Sequence, residues 1–224
     1  AISRGYISDI CVSGNYMSAS VSPYYDSYSE APYTDFGMRP SMMLAGKTFE
    51  DVKKMIDNGV ASDNTNPIGS AYLMKTYDYT RSLRAYSYTP SLLGKVISPN
   101  VDVKILTSNS IASTTDSLFY FQGLATVPNI TKNQFPKGAV ADHLTSYGGR
   151  LTDSTQMSIL EFIAGGVTGS YGTVVEPYAI LEKFPDPAIM MRHYTRGETL
   201  VEAYWKSISQ TAQGIFVGEP LAKP

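Results

Sequence analysis

The spacing of apolar residues along this chain changes period repeatedly, and each change marks a structural element. Phe49, Val52, Met55, Ile56 and Val60 recur at helical spacing, which predicts an amphipathic helix over 48–61. Thr48 opens it, and Asp51 can return a carboxylate to the cap as a capping box. A second box, Thr199 with Glu202, starts a helix that turns Leu200, Val201, Tyr204, Trp205 and Ile208 inward. Asp153 is expected to begin a third, with Met157, Leu160, Ile163 and Ala164 on one face. Tyr6–Val12, Ser70–Lys75 and Val101–Leu106 read as strands. Ser117–Phe121 and Gly138–Ala141 are continuous apolar runs, the pattern of strands covered on both faces. Val167–Val175 holds a further strand, and Gly214–Gly218 closes the chain as another. Pro177 suits the first position of a short helix capped by Glu176. Ser41–Ala45 is a short apolar run, Asn64–Pro67 a turn, and 76–95 a polar stretch read as a helix ending near Pro90. Short buried strands alternating with amphipathic helices predict an α/β three-layer sandwich with a mainly parallel sheet.

Residues 1–40 break this rhythm. They are rich in tyrosine, serine and proline and low in charge. They read as an irregular segment over a single α/β domain spanning 41–224, and as a contact surface for another chain, since tyrosine offers apolar area with a polar tip. The glycine-dense stretch Gly165–Gly172 fits neither Gly-x-Gly-x-x-Gly nor a phosphate loop ending in Gly-Lys-Ser/Thr. Close packing of a strand against a helix is the better account of it.

Composition narrows the function classes. The 224 residues carry a net charge of −2, so nothing electrostatic points to nucleic acid or an anionic membrane. No apolar run reaches the roughly 20 residues of a spanning helix. The single cysteine, Cys11, excludes an intramolecular disulfide; its alternating surroundings make it a buried thiol, with nothing nearby to activate it. Abundant tyrosine (17 residues) with only 17% charged residues suits an extracellular, cell-surface or periplasmic protein. The chain starts at Ala1 without a signal-peptide pattern, so a leader is expected to be already removed or never present.

Ligands in open α/β sheets bind beyond the carboxyl ends of strands. There His143, beside Asp142 and three residues before Ser146, could act as a general base or a ligand contact, or simply bond loop backbone. Gln122 and Glu176 should gather at the same rim. Asp116, Asp142, His143 and Glu176 could be imagined around a metal, but no ligand spacing supports one, and neither metal nor cofactor is expected. His193 reads as a surface residue near a helix end; Trp205 and the pairs Met42-Met43 and Met190-Met191 read as core. Asn129-Ile130-Thr131 is a glycosylation sequon by pattern.

Four blocks carry a family resemblance: Phe135–Tyr147 (FPKGAVADHLTSY), the glycine-rich run leading into Glu176-Pro177-Tyr178, Gly197–Tyr204 (GETLVEAY), and the closing Gly218–Pro224 (GEPLAKP). They resemble an uncharacterised bacterial family that accompanies exosortase (PEP-CTERM) sorting systems, itself distantly similar to gingipain- and caspase-type cysteine peptidases. The closing block has Glu219 where that family has Asp. The resemblance runs from about Ser22 to the end. It implies that further βα units precede Ala1 in a longer precursor, released by proteolysis, and that the upstream fragment or another envelope protein is the partner. The peptidases place His-Gly after one strand and Cys after the next, so that an imidazole activates a thiolate. The resemblance sets Gln122-Gly123 at the first place and Thr145-Ser146-Tyr147 at the second, which leaves no dyad. Two readings follow. One is a non-catalytic, peptidase-like binding or assembly protein, contacting its ligand through Gln122, Gly123, Asp142, Glu176 and Tyr178. The other is an active peptidase or other hydrolase using His143 with Ser146 or Cys11.

Overall fold

The computed structural model describes residues 21–89, 98–175 and 180–224. Six strands form one sheet: β1 (Gly69–Lys75), β2 (Val101–Thr107), β3 (Ser117–Gln122), β4 (Val140–His143), β5 (Gly169–Thr173) and β6 (Gly214–Gly218). Their order across the sheet is β2-β1-β3-β4-β5-β6. The first five run parallel and β6 is antiparallel to β5. The fold is thus α/β with a mainly parallel sheet, as the pattern of short apolar runs predicts. The expected strand over Tyr6–Val12, the short helix at Pro177 and the thiol of Cys11 lie outside the described residues.

Helices cover both faces. On one, α1 (Pro32–Phe36), α4 (Pro187–Thr195) and α5 (Leu200–Ser207) overlie the side chains of Leu73, Phe119, Phe121 and Val140. On the other, α2 (Phe49–Val60) and α3 (Leu160–Gly165) cover Tyr72, Met74, Tyr120 and Ala141. Every residue of β3 is buried, so its alternate side chains feed both layers. Each fully buried ring or branched chain contributes about 1.5–3 kcal/mol.

Both capping boxes form. Thr48 Oγ1 accepts from the Asp51 N–H at 3.1 Å and Asp51 accepts from the Thr48 N–H at 2.9 Å; Glu202 reaches back to the N–H and hydroxyl of Thr199. The C-terminal segment completes the second cap. The carbonyls of Ala222 and Pro220 accept from the N–H groups of Leu200 and Val201 at 2.9 and 3.1 Å, satisfying first-turn donors that a helix leaves open. The outer edge of β6 is paired by a parallel bridge to Met43.

Four expectations need correction. The helix expected from Asp153 begins only at Leu160. Residues before it run across the loop after β3, the Met157 N–H donating to the Ala125 carbonyl at 2.9 Å and its sulfur receiving the Val127 N–H. The periodicity of Met157 and Leu160 therefore reflects burial in two different segments. Within 76–95, the regular element is a 3-10 turn over Leu83–Ser87, not a helix, and 90–97 lies outside the described residues. Met43 stands exposed at the sheet edge, unlike the buried Met190 and Met191.

His193, expected at the surface, is fully buried. Its Nδ1 lies 2.7 Å from Glu198 Oε1 and its Nε2 3.1 Å from Asp26 Oδ1. Arg192 pairs with the same Asp26, and Lys206 with Glu198 at 2.6 Å. This cluster and the backbone bonds Ser22–Ser209 and Asp26–Lys206 strap the segment from Ser22 onto α4 and α5. Tyr24 and Met38 of that segment belong to the core, while Tyr28 and Tyr33 stay exposed.

Candidate active-site rim

The carboxyl ends of β3 and β4 lie side by side, with Gln122 in register with His143. Alternation sends Tyr120, Gln122 and His143 to the α2/α3 face and Asp142 to the opposite one. Gln122 and His143 therefore meet as the sequence predicts, whereas Asp142 is turned away from its neighbour. Ser146 follows in the loop after β4. Glu176 and Tyr178 lie outside the described residues. Asp116 sits at the other end of the sheet, just before β3, where it accepts from Ser70, Tyr72 and Lys104. Among the described residues no cluster of metal-ligating side chains occurs, and no helix is long and apolar enough to cross a membrane.

His143 is 1% exposed. Its Nδ1 is 2.8 Å from the Leu124 carbonyl, a contact that requires the proton on Nδ1. Nε2 makes no aligned hydrogen bond and is enclosed by protein, with the Met157 backbone also beside the ring. The Gly148 α-carbon closes on it so tightly that a β-carbon there would lie 2.8 Å from Nε2. The ring meets Phe162 edge-on at 5.6 Å between centroids. Burial, first of all, drives its pKa down to about 4; the Leu124 carbonyl opposes the shift and the Arg84 charge adds to it. The imidazole is neutral at neutral pH, and neither nitrogen bonds Ser146. Gln122 is equally buried and donates to the Tyr120 hydroxyl at 2.8 Å.

The loop after His143 carries two hydroxyl residues, Thr145 and Ser146, and the Thr145 hydroxyl is tied on both sides. Thr145 is buried; its hydroxyl accepts from Arg81 Nε at 3.1 Å and donates to Gln156 Oε1 at 2.8 Å. Arg81 in turn pairs with Asp78 at 2.7 Å. Ser146 is half-buried, and its carbonyl accepts from Thr173 at 2.9 Å. Over Gly123 runs the backbone of Arg81 and Ser82, with the Thr76 hydroxyl donating to the Gly123 carbonyl at 2.6 Å. A β-carbon on Gly123 would run into the Arg81 carbonyl oxygen. Gly123→Ala is therefore expected to displace the 78–88 segment and to cost roughly 1–3 kcal/mol, as overpacking does; a denaturation midpoint equal to that of the parent would contradict this.

On the opposite face, Asp142 meets Arg84. Nη2 lies 2.6 Å from Oδ1, with the two side chains 4% and 1% exposed. The same nitrogen donates to the Gln122 carbonyl at 2.8 Å. Burial pushes the Asp142 carboxyl up, and the guanidinium pulls it back. Arg84 thus ties the ends of β3 and β4 to the turn after β1. Sequence reasoning missed Arg81, Arg84 and Gln156, which stand in no motif, and the role of Thr145, because each acquires its role from a partner elsewhere in the chain.

Comparison of the chain with protein-family models, with characterised proteins and with solved structures gives no match in any of the three.

Proposed function

We propose that the chain is a non-catalytic binding or assembly protein of the cell envelope or extracellular space, a peptidase-like α/β domain without a working dyad. The observation that carries this reading is the closed rim. Hydrolysis by an activated hydroxyl or thiol needs nucleophile and base within hydrogen-bond reach. Here the imidazole spends its proton on the Leu124 carbonyl, its other nitrogen faces Gly148, and neither nitrogen bonds the Ser146 hydroxyl. The resemblance puts Gln122, whose amide has no basic nitrogen, where the peptidases have their histidine. The four sequence blocks support membership of the exosortase-associated family, and with it a partner that is either an upstream fragment of the precursor or another envelope protein. The tyrosine-rich, weakly charged composition supports an extracellular or periplasmic setting.

A peptide-library digest tests the reading. The protein and its His143→Gln variant are expected to release the same background of products, and native mass spectrometry of material from the producing cell is expected to show a second polypeptide. Turnover that His143→Gln or Ser146→Ala abolishes would establish a hydrolase instead.

A further inference from the structure

Beside the closed rim lies an open cleft of about 360 Å³, within the size range of ligand pockets, roughly 300–1,000 Å³. It sits where the strands β1 and β2 end, between Lys75, the last residue of β1, and Thr107, the last of β2. Tyr77, Tyr79, Tyr86 and Tyr88 line it. Three of these rings are 62%, 76% and 77% exposed (Tyr77, Tyr79 and Tyr86), while Tyr88 is buried against the core. Rings this large are left in water at a cost unless something covers them. The 3-10 turn at Leu83–Ser87 presents Tyr86, and the turn after β1 presents Tyr77 and Tyr79. Both turns are fixed from below: Arg84 is anchored on Asp142, and the Tyr77 N–H donates to Asn109 at 2.9 Å. The rings are thus displayed on a rigid base.

We infer that this cleft binds a short proline-containing peptide segment in the polyproline II conformation, with an acidic residue at the Lys75 end. The inference rests on the binding role proposed above and names its partner. Three features select this ligand. Aromatic rings line the grooves that proline segments dock into, because the extended helix is preformed and loses little entropy. The described lining offers the Tyr77, Tyr79, Tyr86 and Thr107 hydroxyls and one ammonium, the Thr76 hydroxyl being spent on the Gly123 carbonyl, but no side-chain carboxylate or amide. Such a donor-rich surface complements a polyproline backbone, whose carbonyls are unpaired and whose prolines have no N–H. Among the described lining residues the one charge is Lys75, on the exposed mouth, which favours a carboxylate on the ligand.

Fluorescence polarisation with labelled oligoprolines tests this. One probe carries a central aspartate, a second a central lysine. The aspartate probe is expected to bind and the lysine probe to bind more weakly. Tyr79→Ser with Tyr86→Ser should weaken the first by about tenfold, the scale of losing two aromatic contacts. Lys75→Gln should weaken it about threefold, as for an exposed ion pair. These residues are exposed, and an unchanged unfolding midpoint reported by Trp205 verifies that the variants fold. Equal binding of the two probes, no binding, or binding untouched by the tyrosine substitutions would overturn the inference, as would preferential binding of a maltooligosaccharide. Chromatography of the probe after titration keeps the two proposals apart. An intact, bound probe supports both; a probe cleaved in a His143-dependent way defeats the non-catalytic reading alone.

Discussion

Replacing Arg84 by alanine is expected to cost about 3–5 kcal/mol, the range for stripping one partner from a buried ion pair. The cost has two sources. Asp142 would be left 1% exposed with no opposite charge, and burial already works against its charged form. In addition, the Gln122 carbonyl would lose the 2.8 Å bond from Nη2, and the Phe121 ring the guanidinium that lies 5.5 Å above it. Fluorescence of Trp205, the single tryptophan, buried and stacked on Phe216, reports unfolding in urea. The double replacement Arg84→Met with Asp142→Leu should recover most of the loss, since two apolar groups of similar volume need no charge partner. If Arg84→Ala cost less than the double variant, the pair would not be holding the rim.

Acid is expected to weaken the protein through His143. The sign follows from the depressed pKa. Between about 4, in the folded chain, and the ordinary 6.5, the unfolded state binds a proton that the folded state refuses. The contribution of this group is therefore fully present above pH 6.5 and is lost as pH falls toward 4. The decline from this group alone amounts to about 3 kcal/mol. His143→Gln should be less stable than the parent at neutral pH, but should lose about 3 kcal/mol less between pH 7 and pH 4. Parallel pH dependence of parent and variant would show that His143 titrates as freely as it does in an unfolded chain.

Both effects concern residues that the sequence displays unevenly. Thr48 with Asp51 and Thr199 with Glu202 are legible because a capping box needs only neighbours three positions apart. Ser117–Phe121 is legible because a strand covered on both faces has no polar alternation to obscure it. The meeting of Gln122 and His143 follows from adjacent parallel strands ending at one rim. Their burial does not follow, because the lid over them comes from Arg81, Thr76 and Gly148, whose positions depend on turns without a period. Asp142 lies next to His143 in sequence yet serves the opposite face, a consequence of strand alternation that a list of nearby titratable residues conceals. His193 departs from expectation for a related reason: its partner Asp26 is 167 residues away, and local helix spacing cannot reveal a buried charge cluster assembled over that separation. The helix expected from Asp153 failed because Met157 and Leu160 are buried by different segments that happen to keep helical spacing.

The closed rim gives the glycines at 123 and 148 a common meaning. Each lies where chain passes so near that a side chain has no room. That room is what an added β-carbon would need. Here it is filled by the Arg81 carbonyl on one side and by the His143 ring on the other, while the open, aromatic cleft is displaced to the ends of β1 and β2.

Nitrogen-resolved NMR of the His143 imidazole tests this account most directly. A sealed structural imidazole carries its proton on Nδ1, exchanges slowly with water and titrates near pH 4. A ring that instead titrates near 6.5, or whose Nε2 shifts when a hydroxyl-directed inhibitor is added, would mean that the rim is open and the base available.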